Sequence, residues 1–68
     1  MNEHTDFIAY CIEEYKYNQK MTGKAVIDLF NEYNVIDYIR SCYDVLHTTG
    51  GLYIIDDINQ YIELRSVH

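Results

Sequence analysis

Apolar residues recur along this chain at spacings of three and four. In residues 6–17, Phe7, Ile8, Cys11, Ile12 and Tyr15 form one stripe, the pattern of an amphipathic helix. Asp6 near its start and Lys16 and Lys20 near its end suit the helix dipole. Residues 23–33 carry a second stripe of Ala25, Val26, Leu29, Phe30 and Tyr33. Thr22 stands where a hydroxyl can cap that helix by accepting from a free backbone N–H. Asn34 follows, and Asn tolerates the left-handed conformation that ends helices. Residues 35–47 set Val35, Ile39, Cys42, Tyr43 and Leu46 inward as a third helix. Asp37, Arg40 and Asp44 fall on its far side, where Arg40 can pair three back and four forward. Residues 52–65 hold Ile55, Ile58 and Ile62 at helical spacing, with Asp56 or Asp57 expected as the cap. The run LYII suits a short extended segment as well, but a lone strand would have no partner. The pattern predicts an all-α fold, a compact bundle of about four short helices in one domain over residues 1–68.

Composition narrows this picture. At 68 residues a chain buries only about 60% of the surface its unfolded form exposes, so its stability is marginal. Two cysteines and three scattered histidines do not match the spacing of a structural zinc site, and no metal or cofactor is expected. No charged leader precedes an apolar run, so no secretory signal is expected. Apolar runs fall far short of the ~20 residues needed to span a bilayer. The expected location is the cytoplasm, where thiols stay reduced. Eleven acidic residues against five basic ones give a formal charge of −6. Phosphate contacts need clustered Lys and Arg, so neither nucleic acid nor an anionic membrane surface is an expected partner. A cationic protein is compatible with the charge.

One stretch resembles chemistry. Residues 42–51, CYDVLHTTGG, bring a cysteine, an aspartate and a histidine together before two threonines and two glycines. On a helix, Cys42 and His47 are turned about 140° from each other at ~100° per residue. A nucleophile and its base must come within hydrogen-bond reach, so a catalytic pair is not expected. Asp44 and His47 can touch as a surface pair, and Gly50 is expected to end the helix with a positive φ. A phosphate nest at residues 48–51 would lack nearby cations. Thr22-Gly23-Lys24 lacks the upstream glycine of a P-loop and reads as a helix cap. Cys11 and Cys42 sit on apolar stripes of different helices and are expected as free thiols.

The surface carries the remaining signal. Eight residues are Tyr and none is Trp or Pro. Tyr15, Tyr33, Tyr43 and Tyr61 fit the edge of the core. Tyr10, Tyr17 and Tyr38 lie off the stripes, with Glu13 close by and Asp28 and Glu32 four apart on the second helix. Tyrosine is enriched where proteins meet, so Tyr10, Glu13, Tyr17, Asp28, Glu32 and Tyr38 are the candidate protein-binding residues.

The motifs TGKAVIDLF, YNVIDYI, CYDVLHTTG and YIIDDINQYI, with YCIEEYK near the start, resemble a small bacterial family of unknown function over almost the whole chain. Members of that family are often encoded beside ADP-ribosyltransferase-like proteins, in an arrangement similar to a toxin and its antitoxin. The resemblance implies a small protein that binds and restrains an enzyme, and it supplies no catalytic or ligand residues. The expected function is a non-catalytic protein-binding module acting by occlusion. The alternatives are a small helix-turn-helix-like DNA-binding regulator, suggested by the short turn between the second and third helices, an enzyme using Cys42 or His47, and a homo-oligomer joined through tyrosine faces.

Overall fold

The computed structural model describes residues 3–66, with the side chain described from residue 4 onward. Five helices follow one another: α1 (Glu3–Gln19), α2 (Gly23–Glu32), α3 (Val35–Ser41), α4 (Tyr43–Leu46) and α5 (Gly51–Ser66). Among the described residues there is no strand, and no helix is long and apolar enough to cross a membrane. The all-α bundle is as the periodicity predicts.

Local chemistry sets the first two boundaries. Lys20 takes a left-handed φ of 54°, and the Met21 N–H returns to the Lys16 carbonyl at 3.0 Å. That bond closes α1 with one of the carbonyls a helix end otherwise leaves unpaired. Thr22 then caps α2 as expected, its Oγ1 accepting from the Ala25 N–H at 3.1 Å. Asn34, at φ 57° and ψ 38°, is the left-handed hinge between α2 and α3.

The predicted third helix is two helices. Cys42 leaves the helical region at φ −105° and ψ 15°, and the chain bends there. The bend buries Leu46 and lays the Tyr43 ring edge-on against Phe7 of α1 at 5.4 Å. Gly50 does not supply the stop, since no glycine here has a positive φ. The hydroxyls of Thr48 and Thr49 both donate to the Val45 carbonyl at 2.9 Å, so side chains close α4 instead.

The start of α5 also differs from expectation. The helix begins at Gly51, and the Ile54 N–H bonds the Gly50 carbonyl at 3.1 Å, so neither Asp56 nor Asp57 is its cap. Residues 52–55 are helical because this winding buries Ile54 and Ile55 together with Ile58, whereas an extended segment would leave its backbone unpaired.

The core is formed by Ile8, Cys11 and Tyr15 of α1, Val26 and Phe30 of α2, Val35 and Ile39 of α3, Leu46 of α4 and Ile54, Ile55 and Ile58 of α5. The α1 helix packs against α2, α3 and α5. Among the described residues no charged or amide side chain is buried. Tyr15 meets Phe30 edge to face at 5.1 Å, while its hydroxyl donates to Asn59 Oδ1 at 2.5 Å, tying α1 to α5.

Candidate functional site

Two of the six residues singled out from the sequence help hold α5. Tyr38 is half-buried rather than exposed. Its hydroxyl donates to Asp57 Oδ2 at 2.6 Å, and its ring stacks on Tyr61 at 4.0 Å. Arg65 covers the other aromatic partner of that stack, its guanidinium 3.8 Å from the Tyr61 centroid. Tyr38 is therefore corrected from a free aromatic to part of the α3–α5 seam. Tyr10 keeps 43% of its surface, but its hydroxyl lies against Gly51 beside the Glu14 carboxylate. A Cβ on Gly51 would stand 3.1 Å from that oxygen, so the glycine allows this close approach.

The other four lie on open surface. Tyr17 is 83% exposed. Glu13 pairs with Lys16 at 3.4 Å, and Asp28 with Lys24 at 3.0 Å. Such exposed pairs within one helix contribute little stability. Glu32 is exposed beside the Tyr33 hydroxyl, which it helps to keep protonated.

A different region is concave. A cleft of about 350 Å³ opens between α3–α4 and α5. Cys42 and Leu46 are its more covered walls, Val45 and Tyr53 its rim, and Thr49 closes one side. Its polar wall is the Tyr38–Asp57 bond. Burial first, then Asp57 and the neighbouring Cys42, raise the Tyr38 phenol above the ordinary tyrosine range. The hydroxyl thus stays a donor to Asp57. Val45 and Tyr53 are 70% and 73% exposed, and Leu52 beside Tyr53 is 71% exposed. Three large apolar side chains within nine positions are a concentrated surface feature.

This cleft uses the stretch that resembles chemistry, but as a wall. Cys42, Val45, Leu46 and Thr49 all line it. His47 does not. Its Nδ1 lies 2.6 Å from the Tyr43 carbonyl, and its ring stacks flat on Tyr43 at 4.4 Å. The expected Asp44–His47 pair is replaced by this contact. Among the described residues no three His, Cys, Asp or Glu are grouped to hold a metal.

Both cysteines are free thiols. Cys11 is fully buried, and burial followed by the Glu14 charge pushes its thiol up to about 12. Cys42 is half-buried at the cleft. Thiolates are the reactive species, so folded protein should take up one equivalent of iodoacetamide, at Cys42, and the second only in denaturant. Peptide mapping checks this, and comparable labelling of Cys11 in folded protein would contradict the packing.

Sequence reading overlooked Val45, Leu52 and Tyr53. The available signal was that all three are apolar yet fall off the stripes. A family model described as Protein of unknown function (DUF3791) matches residues 6–65, and the chain belongs to that family. No curated protein matches the chain, and no solved structure does.

Proposed function

We propose that this member of the DUF3791 family is a non-catalytic protein-binding module that acts through the corner between α4 and α5. The observation that carries the reading is the open apolar cleft with Val45 and Tyr53 exposed at its rim. Exposed apolar side chains gathered at one place mark a contact site for a partner. Tyr17, Asp28 and Glu32 are exposed as well and are the further residues to test for contact with a partner.

The sequence resemblance supplies the partner class, an ADP-ribosyltransferase-like enzyme, and an antitoxin-like role. Occlusion is the mechanism that suits a chain of charge −6: an acidic surface covers a cationic site that otherwise takes an anionic nucleotide or a substrate protein. Two free thiols fit a reducing cytoplasm.

Where an ADP-ribosyltransferase-like protein is encoded beside this chain, co-expression of the two tests the reading. The two should co-elute in size-exclusion chromatography, and the complex should show transferase activity lowered at least about tenfold, as occlusion with a coupling of ~1.4 kcal/mol would give. Separate elution with full activity would remove the proposal.

A further inference from the structure

We infer that the cleft between α3–α4 and α5 receives an amphipathic helix of a cationic protein, with one apolar side chain between Val45 and Tyr53 and a lysine or arginine at Asp57. This rests on the protein-binding reading and names the occupant that the cleft selects.

Size comes first. A cleft of about 350 Å³ lies at the small end of the ~300–1,000 Å³ range of ligand sites. It suits one or two aliphatic side chains, and Cys42 and Leu46 offer them an apolar wall. Secondary structure comes second. An extended peptide binds by adding to a sheet edge, and among the described residues there is no sheet. A helix satisfies its own backbone and can lay its apolar face into such a cleft.

Charge selects the partner. Asp57 Oδ2 accepts from Tyr38, which leaves Oδ1 able to accept another bond, and an ionised carboxylate has no donor to offer. The incoming group must supply the hydrogen. Residues 42–57 contain Asp44, Asp56 and Asp57 and no Lys or Arg. The nearest cation on α3, Arg40, lies 3.9 Å from Asp37. A second copy of the chain would bring another charge of −6, so like charges oppose self-association here. A cationic donor gains at the same place.

A fluorescein-labelled peptide of about four helical turns, with leucines at i, i+4 and i+7 and flanking lysines, is the probe for fluorescence polarisation on the full chain. A twin peptide carries glutamates in place of the lysines. The lysine peptide should bind at least about tenfold more tightly than its twin and slow Cys42 alkylation by a similar factor. Val45→Asp and Asp57→Asn should each weaken it by about tenfold or more. Val45 is exposed, so V45D leaves the helical circular dichroism and urea midpoint intact, and D57N keeps an oxygen for Tyr38. Absence of lysine-peptide binding, equal binding of the two peptides, or an unchanged Cys42 labelling rate would overturn the inference. So would a V45D-sensitive dimer in sedimentation, since the occupant would then be a second copy. The enzyme complex separates the two levels. If V45D disrupts the enzyme complex while the lysine peptide does not bind, the helix assignment fails and the reading that this corner binds a protein stands. If no complex forms, that reading falls by itself.

Discussion

Phe30→Ala is expected to leave the chain largely unfolded at 25 °C. Phe30 is fully buried and meets the Tyr15 ring at 5.1 Å. Deleting a buried phenyl ring costs about 3–5 kcal/mol, part transfer and part cavity. A domain of this length has roughly 3–10 kcal/mol in total, and short chains sit towards the low end. The gap would open under Tyr15, whose hydroxyl holds Asn59, so the α1–α5 tie weakens with it. Far-UV circular dichroism against urea reads the outcome. Phe30→Leu, which keeps most of the volume, should fold with a smaller loss. A Phe30→Ala midpoint within about 0.5 M urea of wild type would show that this ring is not central to the core.

The second large effect is alkaline unfolding. In the folded chain burial, then Glu14, push Cys11 up to about 12 from an ordinary 9.0. Between those values the unfolded chain has released this proton and the folded chain still holds it. The unfolded state then binds fewer protons, so stability falls as pH rises. The contribution is complete below pH 9 and disappears on passing through about 12. Three units correspond to about 4 kcal/mol as an order of magnitude. Above pH 10 the tyrosines act in the same direction, because Tyr10, Tyr15, Tyr33 and Tyr38 are all raised from 10.0. Burial is the first cause for all of them except Tyr33, where Glu32 leads. The urea midpoint should be level from pH 7 to about 8.5 and drop steeply beyond 9. Unfolding should coincide with the rise of thiolate and phenolate absorbance. Cys11→Ala should delay the onset to about pH 10, where the phenols begin. A midpoint unchanged at pH 11 would mean that neither Cys11 nor the tyrosines are protected by folding.

Both effects involve residues whose burial the stripes predict. Phe30 and Cys11 lie on them, and so do Val26, Val35, Ile39 and Ile58. The Thr22 cap and the Asn34 hinge are equally legible, because a hydroxyl or an amide side chain acts on backbone within a few positions. The misreadings begin where two helices must meet. Ile54 is fully buried and stands four before Ile58 on the same stripe, but the run LYII suits an extended segment as well, which hides it. The bend at Cys42 depends on α1, where Phe7 receives Tyr43. The start of α5 lies before Asp56 because Ile54 and Ile55 are needed in the core.

The candidate site shows the same division. Tyr38 and Tyr53 both lie off the stripes, and neither neighbourhood in the chain announces its fate. Tyr38 is taken in by Asp57 and Tyr61, 19 and 23 positions away, while Tyr53 stays at a rim.

The sequence by itself determined the helical class, the inward face of each long helix, two of the turns and an acidic surface, because these follow from spacing, capping and charge over a few residues. Tertiary structure alone decided which off-stripe residues are swallowed and which stay in water. That choice depends on how α3, α4 and α5 approach one another. The one-turn α4 leaves its own Val45 in water and does not cover Tyr53 of α5, and the cleft is what lies between them.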